Sequence, residues 1–207
     1  MRGKTIFASL AVAGAVSLGL LVDCREPTEI TMVIKTDVPC EAWRNATITV
    51  GRVGEVESKS PVTSTTDCSG GGDIGTLVVV PSGASDDEIT IKVVAGEQRD
   101  PETCRAPGYG PGCIVARRTV RFIKYAPLRL IVPLRHACNG VVCAVDETCV
   151  VGSCKSALIS NSGQCSAAGC DESTLSPGDA GVAPPPVVDA GALVDSGVPK
   201  DTGSIPP

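Results

Sequence analysis

The sequence predicts a mainly β protein: an antiparallel, immunoglobulin-like β-sandwich followed by a small disulfide-rich module and a disordered tail. Three observations lead to this fold class. Apolar and polar residues alternate with a period of two over much of the first two thirds of the chain, eleven cysteines are spread along 207 residues, and Pro, Gly, Ala, Ser and Asp dominate the C-terminal part. These patterns divide the chain into the four regions 1–23, 24–135, 136–170 and 171–207.

Region 1–23 is predicted to be a lipoprotein-type signal peptide. Arg2 and Lys4 supply a positive start, and an apolar stretch from Ile6 to Val22 follows. That stretch is slightly short for a transmembrane helix. Two alternatives stay open: a leader that is retained as an anchor, and cleavage at Ala15-Val16-Ser17, which would release a soluble protein.

Cys24 follows this leader and is the predicted lipidation site. The chain has an odd number of cysteines, and setting Cys24 aside leaves ten that are able to pair completely. Asp23 is atypical before a lipid-modified cysteine, where a small residue is usual. The cysteine density predicts an oxidising compartment outside the cytoplasm. The predicted disulfide cysteines are Cys40, Cys68, Cys104, Cys113, Cys138, Cys143, Cys149, Cys154, Cys165 and Cys170.

Region 24–135 is predicted to be the sandwich, because its apolar residues recur at every second position in short runs. We expect strands around Ile30–Ile34, Ile48–Val50, Ile89–Val93, Val120–Phe122 and Leu128–Leu134, and a more buried strand at Leu77–Val80. Thr, Lys and Arg on the other face of each strand are expected to meet water.

Large side chains are scarce in this region, since aromatic residues make up only 2% of the chain. Trp43 is therefore expected in the sandwich core, with an exposed contact as the alternative. The basic stretch Arg117, Arg118, Arg121 and Lys124 is interpreted as the water-facing side of one strand.

Two disulfides are predicted within the sandwich. Cys104 and Cys113 bracket an eight-residue loop rich in Gly and Pro, and we expect them to close it. Cys40 and Cys68 then pair by elimination. Each bond would add stability of about 3 kcal/mol by restricting the unfolded chain.

Region 136–170 is predicted to be a cysteine-rich disulfide module. It holds six cysteines and few apolar residues, so that burial alone cannot fold it. Six cysteines allow fifteen pairings, and their spacing does not choose among them. Zinc bound by His136 and nearby cysteines is the alternative. The gaps between these cysteines differ from the usual C-x2-C spacing, and an oxidising compartment favours disulfides.

The charge distribution argues against nucleic acid as a partner. Residues 171–207 carry six acids and one lysine, and the other residues carry 17 charges of each sign, so the acidity belongs to the tail. Gly70 to Gly75 spells G-x-G-x-x-G but lacks the strand before and the helix after that a dinucleotide site requires. His136 is the one histidine and stands near no nucleophile motif. The sequence predicts no catalytic residue, no cofactor and no metal.

One phrase of the sequence supports a resemblance. Residues 138–154 read C-N-G-V-V-C…T-C-V-V-G-S-C, and they follow a β-rich body and a leader that ends at Cys24-Arg25-Glu26-Pro27-Thr28. This layout resembles uncharacterised cell-envelope lipoproteins of myxobacteria. The resemblance implies a bacterial protein with a surface or periplasmic address, and it implies no activity.

These observations together predict a non-enzymatic lipoprotein of the bacterial envelope. It would be held at a membrane through Cys24 and would contact an envelope or surface protein. The alternative is a secreted β-sandwich module that binds a small ligand or a glycan.

Overall fold

The structure is a computed structural model, and it describes residues 25–68, 72–166 and 168–175. The predicted signal peptide, the predicted lipidation site Cys24 and the predicted tail from residue 176 onward lie outside the described residues. Within these ranges no helix has the length and the apolar character that crossing a membrane requires. The prediction of a mainly β fold with several disulfides is confirmed.

Short strands dominate the described residues, and the helices span three or four residues each. In the part of the chain that the structure describes there is one α-helix, α1 (Glu55–Ser58), with short 3₁₀ helices at Pro101–Thr103, His136–Cys138, Ser162–Cys165 and Glu172–Thr174. The strands are β1 (Glu29–Thr36), β2 (Trp43–Gly51), β3 (Thr63–Thr65), β4 (Asp73–Val79), β5 (Glu88–Glu97), β6 (Cys113–Arg121), β7 (Pro127–Leu134), β8 (Glu147–Val150) and β9 (Ser153–Ser156).

Two sheets form the sandwich. The first has the strand order β4-β1-β7 and the second has the order β3-β2-β5-β6, while β8 and β9 form a separate hairpin. The sandwich is not antiparallel throughout, because β1 and β7 are parallel. The chain crosses from the second sheet to the first after β6 and enters beside β1 in the same direction.

The core lies between the two sheets and follows the alternation of the sequence. Met32 and Ile34 of β1 face the core together with Leu130 of β7, and Ile91 of β5 faces it from the opposite sheet. Trp43, at the start of β2, is buried in this core as predicted.

The prediction that Leu77–Val80 forms a more buried strand is wrong. These residues belong to or directly follow β4, which pairs with β1 on one side and is an edge of its sheet. Val78 is 51% exposed and Val80 is 62% exposed, while Leu77 packs against the core. A run of valines on an edge strand thus alternates between core and solvent.

The second sheet is covered on both faces, which corrects the expectation that its polar face meets water. Thr49, Thr90 and Lys92 are buried on the face opposite the core. The interpretation of Arg117 and Arg118 as water-facing is also wrong: Arg117 is 2% exposed and Arg118 is 0% exposed. Arg118 shares the core face with Ile114 and Ala116, and other segments cover Arg117 on the opposite face.

The cysteine-rich module covers one edge of each sheet, the β6 edge of the second sheet and the β7 edge of the first. On β6, the Thr119 amide donates to the Ala157 carbonyl at 2.8 Å, and the Ile159 amide donates to the Thr119 carbonyl at 2.9 Å. On β7, the Ile131 amide donates to the Cys170 carbonyl at 2.7 Å. The module therefore satisfies backbone groups of two edge strands that would otherwise be open to another chain.

The described residues contain five disulfides, two of them in the sandwich and three in the module. The pairs Cys40–Cys68 and Cys104–Cys113 are those that the sequence predicts. The remaining six cysteines form one of the fifteen possible arrangements: Cys138–Cys149, Cys143–Cys154 and Cys165–Cys170.

Residues 171–175, which the sequence assigns to the tail, pack against the rest of the protein. Glu172 accepts two hydrogen bonds from the guanidinium of Arg135, at 2.8 and 2.6 Å. Leu175 is buried and joins the same apolar core as Cys165 and Cys170. The module and the sandwich thus share one core.

Candidate functional site

Glu57 of α1 is the centre of a charged cluster on the outer face of the second sheet, the face opposite the core. Gly54 directly precedes α1 and has a φ of 82°, a conformation that glycine adopts without strain. Val56 is completely buried and holds the short helix against the protein. The next side chain, Glu57, contacts residues of β5 and β6.

Three side chains bind the Glu57 carboxylate. Arg117 Nε lies 2.8 Å from Oε1, and the Tyr109 hydroxyl donates to Oε2 at 2.5 Å. Lys92 Nζ lies 3.5 Å from Oε2 and 3.3 Å from the Tyr109 hydroxyl. A second donor of the guanidinium, Nη1 of Arg117, binds the carbonyl of Glu147 in β8 at 3.1 Å. We call Glu57, Lys92, Tyr109 and Arg117 the outer-face cluster.

The tyrosine ring adds a second kind of contact to the outer-face cluster. The guanidinium carbon of Arg117 lies 5.5 Å from the centroid of the Tyr109 ring, and Lys92 Nζ lies 6.0 Å from it. Both distances are within reach of a cation–π interaction. Beneath the ring, Tyr109 packs with Val94, Val115 and the Cys104–Cys113 disulfide in a small apolar cluster of its own.

Burial and charge pairing shift the pKa values of this cluster in different directions. Burial alone would raise the pKa of Glu57, but hydrogen bonds from Arg117 and Tyr109 bring it below its ordinary value. Burial lowers the pKa of Lys92, and the nearby Glu57 carboxylate opposes this effect. Burial and the bond to Glu57 raise the pKa of Tyr109 far above its ordinary range. Near neutral pH, Glu57 is therefore a carboxylate and Tyr109 is a neutral phenol.

A cleft of about 670 Å³ opens beside the outer-face cluster. Its floor is the sheet, with Thr47, Thr49, Lys92 and Val94. One wall is formed by residues 57–61, which are the end of α1 and the residues directly after it, and the other is formed by residues of 101–109, including Tyr109. This volume lies within the range of small-molecule sites.

Among the described residues that the sequence predicts as site residues, Cys104 alone lines this cleft, and it takes part in a disulfide. The functional residues that sequence reasoning misses are Glu57, Lys92 and Tyr109. They are separated by up to 52 positions, and no motif links them. One sequence feature points to this site, namely that Lys92 interrupts the apolar residues of β5. A lysine in such a pattern by itself indicates a face that meets water.

His136 lies at the surface, where the sandwich meets the module. Its side chain is 64% exposed, and Nδ1 lies 2.9 Å from a carboxylate oxygen of Glu97. Among the described residues, Cys143, Glu147 and Cys154 come close enough together to resemble a metal site. The two sulfurs are bonded to each other, so this group offers no thiolate ligand.

Trp43 does not contribute to a binding surface. It is 5% exposed and belongs to the core between the sheets. The alternative prediction from the sequence, that Trp43 is exposed and contacts a ligand or partner, is therefore wrong. A ligand that binds the described part of the protein would have to meet other residues.

In comparisons with protein-family models, curated proteins and solved structures, nothing matches this chain. The five disulfides are typical of an oxidising, extracytoplasmic compartment.

Proposed function

We propose that this protein is a non-enzymatic binding protein of the bacterial cell envelope, anchored by a lipid on Cys24. In this proposal it contacts another envelope or surface protein through the cleft on the second sheet. The observation that carries the binding role is the cleft itself: an open depression with charged residues in its floor and walls. The resemblance to myxobacterial envelope lipoproteins supports the proposed location in the cell envelope.

The state of Glu57 supports a binding role over a catalytic one. Arg117 and Tyr109 bind both carboxylate oxygens, and the pKa of Glu57 lies below its ordinary value. A general acid or base that works near neutral pH needs a pKa near that pH and a free oxygen directed at the substrate. In the outer-face cluster the carboxylate acts as a structural counter-ion.

The anchor is tested by intact-mass spectrometry and fractionation of the protein made in a bacterial host. We expect a mature chain that begins at Cys24, carries a diacylglyceryl group and has ten oxidised cysteines. The Cys24→Ser variant should be exported but lose its membrane association. A mature N-terminus near Leu18, or reduced cysteines in the wild-type protein, would contradict the proposal.

The alternative function is a secreted module that binds a small ligand or a glycan. The cleft is the observation that favours it, since its floor and one wall contain the hydroxyls of Thr47, Thr49, Ser58 and Ser60. A glycan array separates the two functions when the wild-type protein is compared with a Ser58→Ala/Ser60→Ala variant. Trp43→Ala is not a suitable probe, because a change at this core residue tests folding.

A further inference from the structure

The cleft beside the outer-face cluster has a surplus of positive charge. We propose that it binds an extended peptide segment of a partner protein that carries an Asp or Glu side chain, with this carboxylate directed at Lys92. The inference rests on the proposed function, since it names the chemistry of the partner that the same cleft would bind.

The first step is the balance of charge in the buried cluster. Lys92 and Arg117 share the single carboxylate of Glu57, and the fourth member, Tyr109, is neutral. The cluster therefore has one more positive charge than negative charge. Buried charge that is incompletely paired is unfavourable, and an added anion would relieve this surplus.

The second step is the supply of free donors. An ammonium group has three protons, and the contacts of Lys92 with Glu57 and Tyr109 account for two of them. The side chain of Lys92 is 7% exposed and lies in the floor of the cleft. A carboxylate that enters the cleft would accept the third proton in a charge-assisted hydrogen bond.

The third step is the charge on the walls. Lys59 and Arg105 are exposed on opposite walls of the cleft, and Glu102 is exposed beside Arg105. The lining residues thus contain three cations, Lys59, Lys92 and Arg105, against the two acids Glu57 and Glu102. Arg117 lies behind the floor and adds to the positive side. The field in the cleft favours an anion.

The fourth step distinguishes a peptide from an acidic sugar. Sugar sites commonly present an aromatic face, but among the described residues that line the cleft Tyr109 alone is aromatic, and it is 2% exposed. Both walls are segments outside the strands, with exposed residues at 58–61 and 105–107. Such segments offer backbone donors and acceptors to an extended chain.

The test is a titration of the full-length protein, with its disulfides intact, monitored by NMR amide shifts. The probes are an acetylated and amidated Ala-Ala-Asp-Ala-Ala peptide, its Asn counterpart and an oligogalacturonate. We expect the Asp peptide to shift amides of 57–61 and 101–107 and to bind about fivefold more tightly than the Asn peptide, the ratio for roughly 1 kcal/mol.

The Lys59→Ala/Arg105→Ala variant should weaken binding of the Asp peptide by about fivefold, as expected for charges at the rim of a site. Both residues are exposed, so that this variant should fold normally. Lys155→Ala is the matched control, because Lys155 is exposed on β9 and does not line the cleft. It should leave binding unchanged.

Equal affinity for the Asp and Asn peptides would overturn the inference. Equal affinity of the wild-type protein and the Lys59→Ala/Arg105→Ala variant for the Asp peptide would also overturn it. Binding of oligogalacturonate without the peptide would replace a peptide ligand by an acidic glycan and likewise overturn it. None of these outcomes affects the mass and fractionation of the Cys24→Ser protein. The anchor is therefore judged separately from the ligand.

Discussion

Arg117 and Arg118 are consecutive residues of β6, and both are almost fully buried, but the two faces of the sheet surround them differently. On the outer face, Arg117 binds the Glu57 carboxylate and the Glu147 carbonyl. On the core face, Nη1 of Arg118 donates to the Arg117 carbonyl at 2.7 Å and to the Thr148 hydroxyl at 3.0 Å. Among the described residues, no hydrogen-bond partner is present for its Nε and Nη2.

The difference shows that burial of a charge does not by itself indicate a stabilising interaction. Burial lowers the pKa of Arg118 to about 10, and the acids Glu172 and Asp171 offset only part of this effect. Arg118 therefore remains charged at neutral pH at a cost in stability. The desolvation cost of a buried ion is offset when its partners replace the water that it loses, as they do for Arg117.

The largest loss of folding stability is expected for the Arg117→Met variant. This change leaves the buried Glu57 carboxylate without its closest cation, and we expect the free energy of unfolding to fall by about 3 kcal/mol. Urea unfolding with intact disulfides measures it. Arg121→Met is the control on the same strand, because the side chain of Arg121 is 61% exposed. A loss as small as that of the control would show that the outer-face cluster does not stabilise the fold.

The next effect is expected from the Cys165→Ala/Cys170→Ala variant. Its disulfide closes a short loop at the edge of β7, and the chain-entropy model predicts a loss of about 2 kcal/mol. Cys170 is also the residue whose carbonyl binds the Ile131 amide. Hydrogen exchange at Ile131 should therefore become faster, while the Ile91 amide in the centre of the other sheet serves as the reference. Unchanged exchange at Ile131 would mean that the edge stays covered without the disulfide.

A smaller loss of folding stability is expected when the pH is lowered and Glu57 becomes protonated. Because the folded-state pKa of Glu57 lies below its ordinary value of 4.5, the carboxylate stabilises the fold fully above that value. This contribution is lost as the pH falls through the folded-state pKa. Glu57→Gln should therefore lose less stability than the wild-type protein between pH 6 and pH 3, as measured by urea midpoints. Glu55→Gln, at the exposed start of α1, should keep the wild-type dependence, and the same slope in all three proteins would contradict the assignment.

The smallest change in folding stability is expected for the Arg118→Met variant. Methionine fills a similar volume and removes two unsatisfied donors, so that the change in stability should stay within about 1 kcal/mol and could be a gain. The comparison with Arg117→Met is direct, since the two positions are adjacent and receive the same substitution. Equal losses at both positions would mean that Arg118 has partners equivalent to those of Arg117.

The sequence predicts the parts of the fold that depend on local patterns. The strict alternation from Leu128 to Leu134 became β7, and the loop between Cys104 and Cys113 is closed by their disulfide. The three residues of β3 are too few to show a period. The parallel pairing of β1 with β7 depends on where the chain crosses between the sheets, which no local pattern encodes.

The candidate site could not be predicted, because its contacts join distant segments. The face of β6 that carries Arg117 has the polar pattern of a solvated surface. It is buried because Glu57, which lies 60 positions earlier in the sequence, and Tyr109 cover it. Alternation tells which residues share a face, whereas long-range packing decides whether that face meets water.

The cysteine-rich module follows the sandwich in the sequence, and this order means that the sandwich strands are synthesised before the segments that cover their edges. The bonds that cover β6 and β7 come from residues 157, 159 and 170, which leave the ribosome after the whole sandwich has been made. Until then both edge strands are open, and open edges pair with other chains. Folding of the module onto these strands is therefore also what keeps the two edges from pairing with other chains.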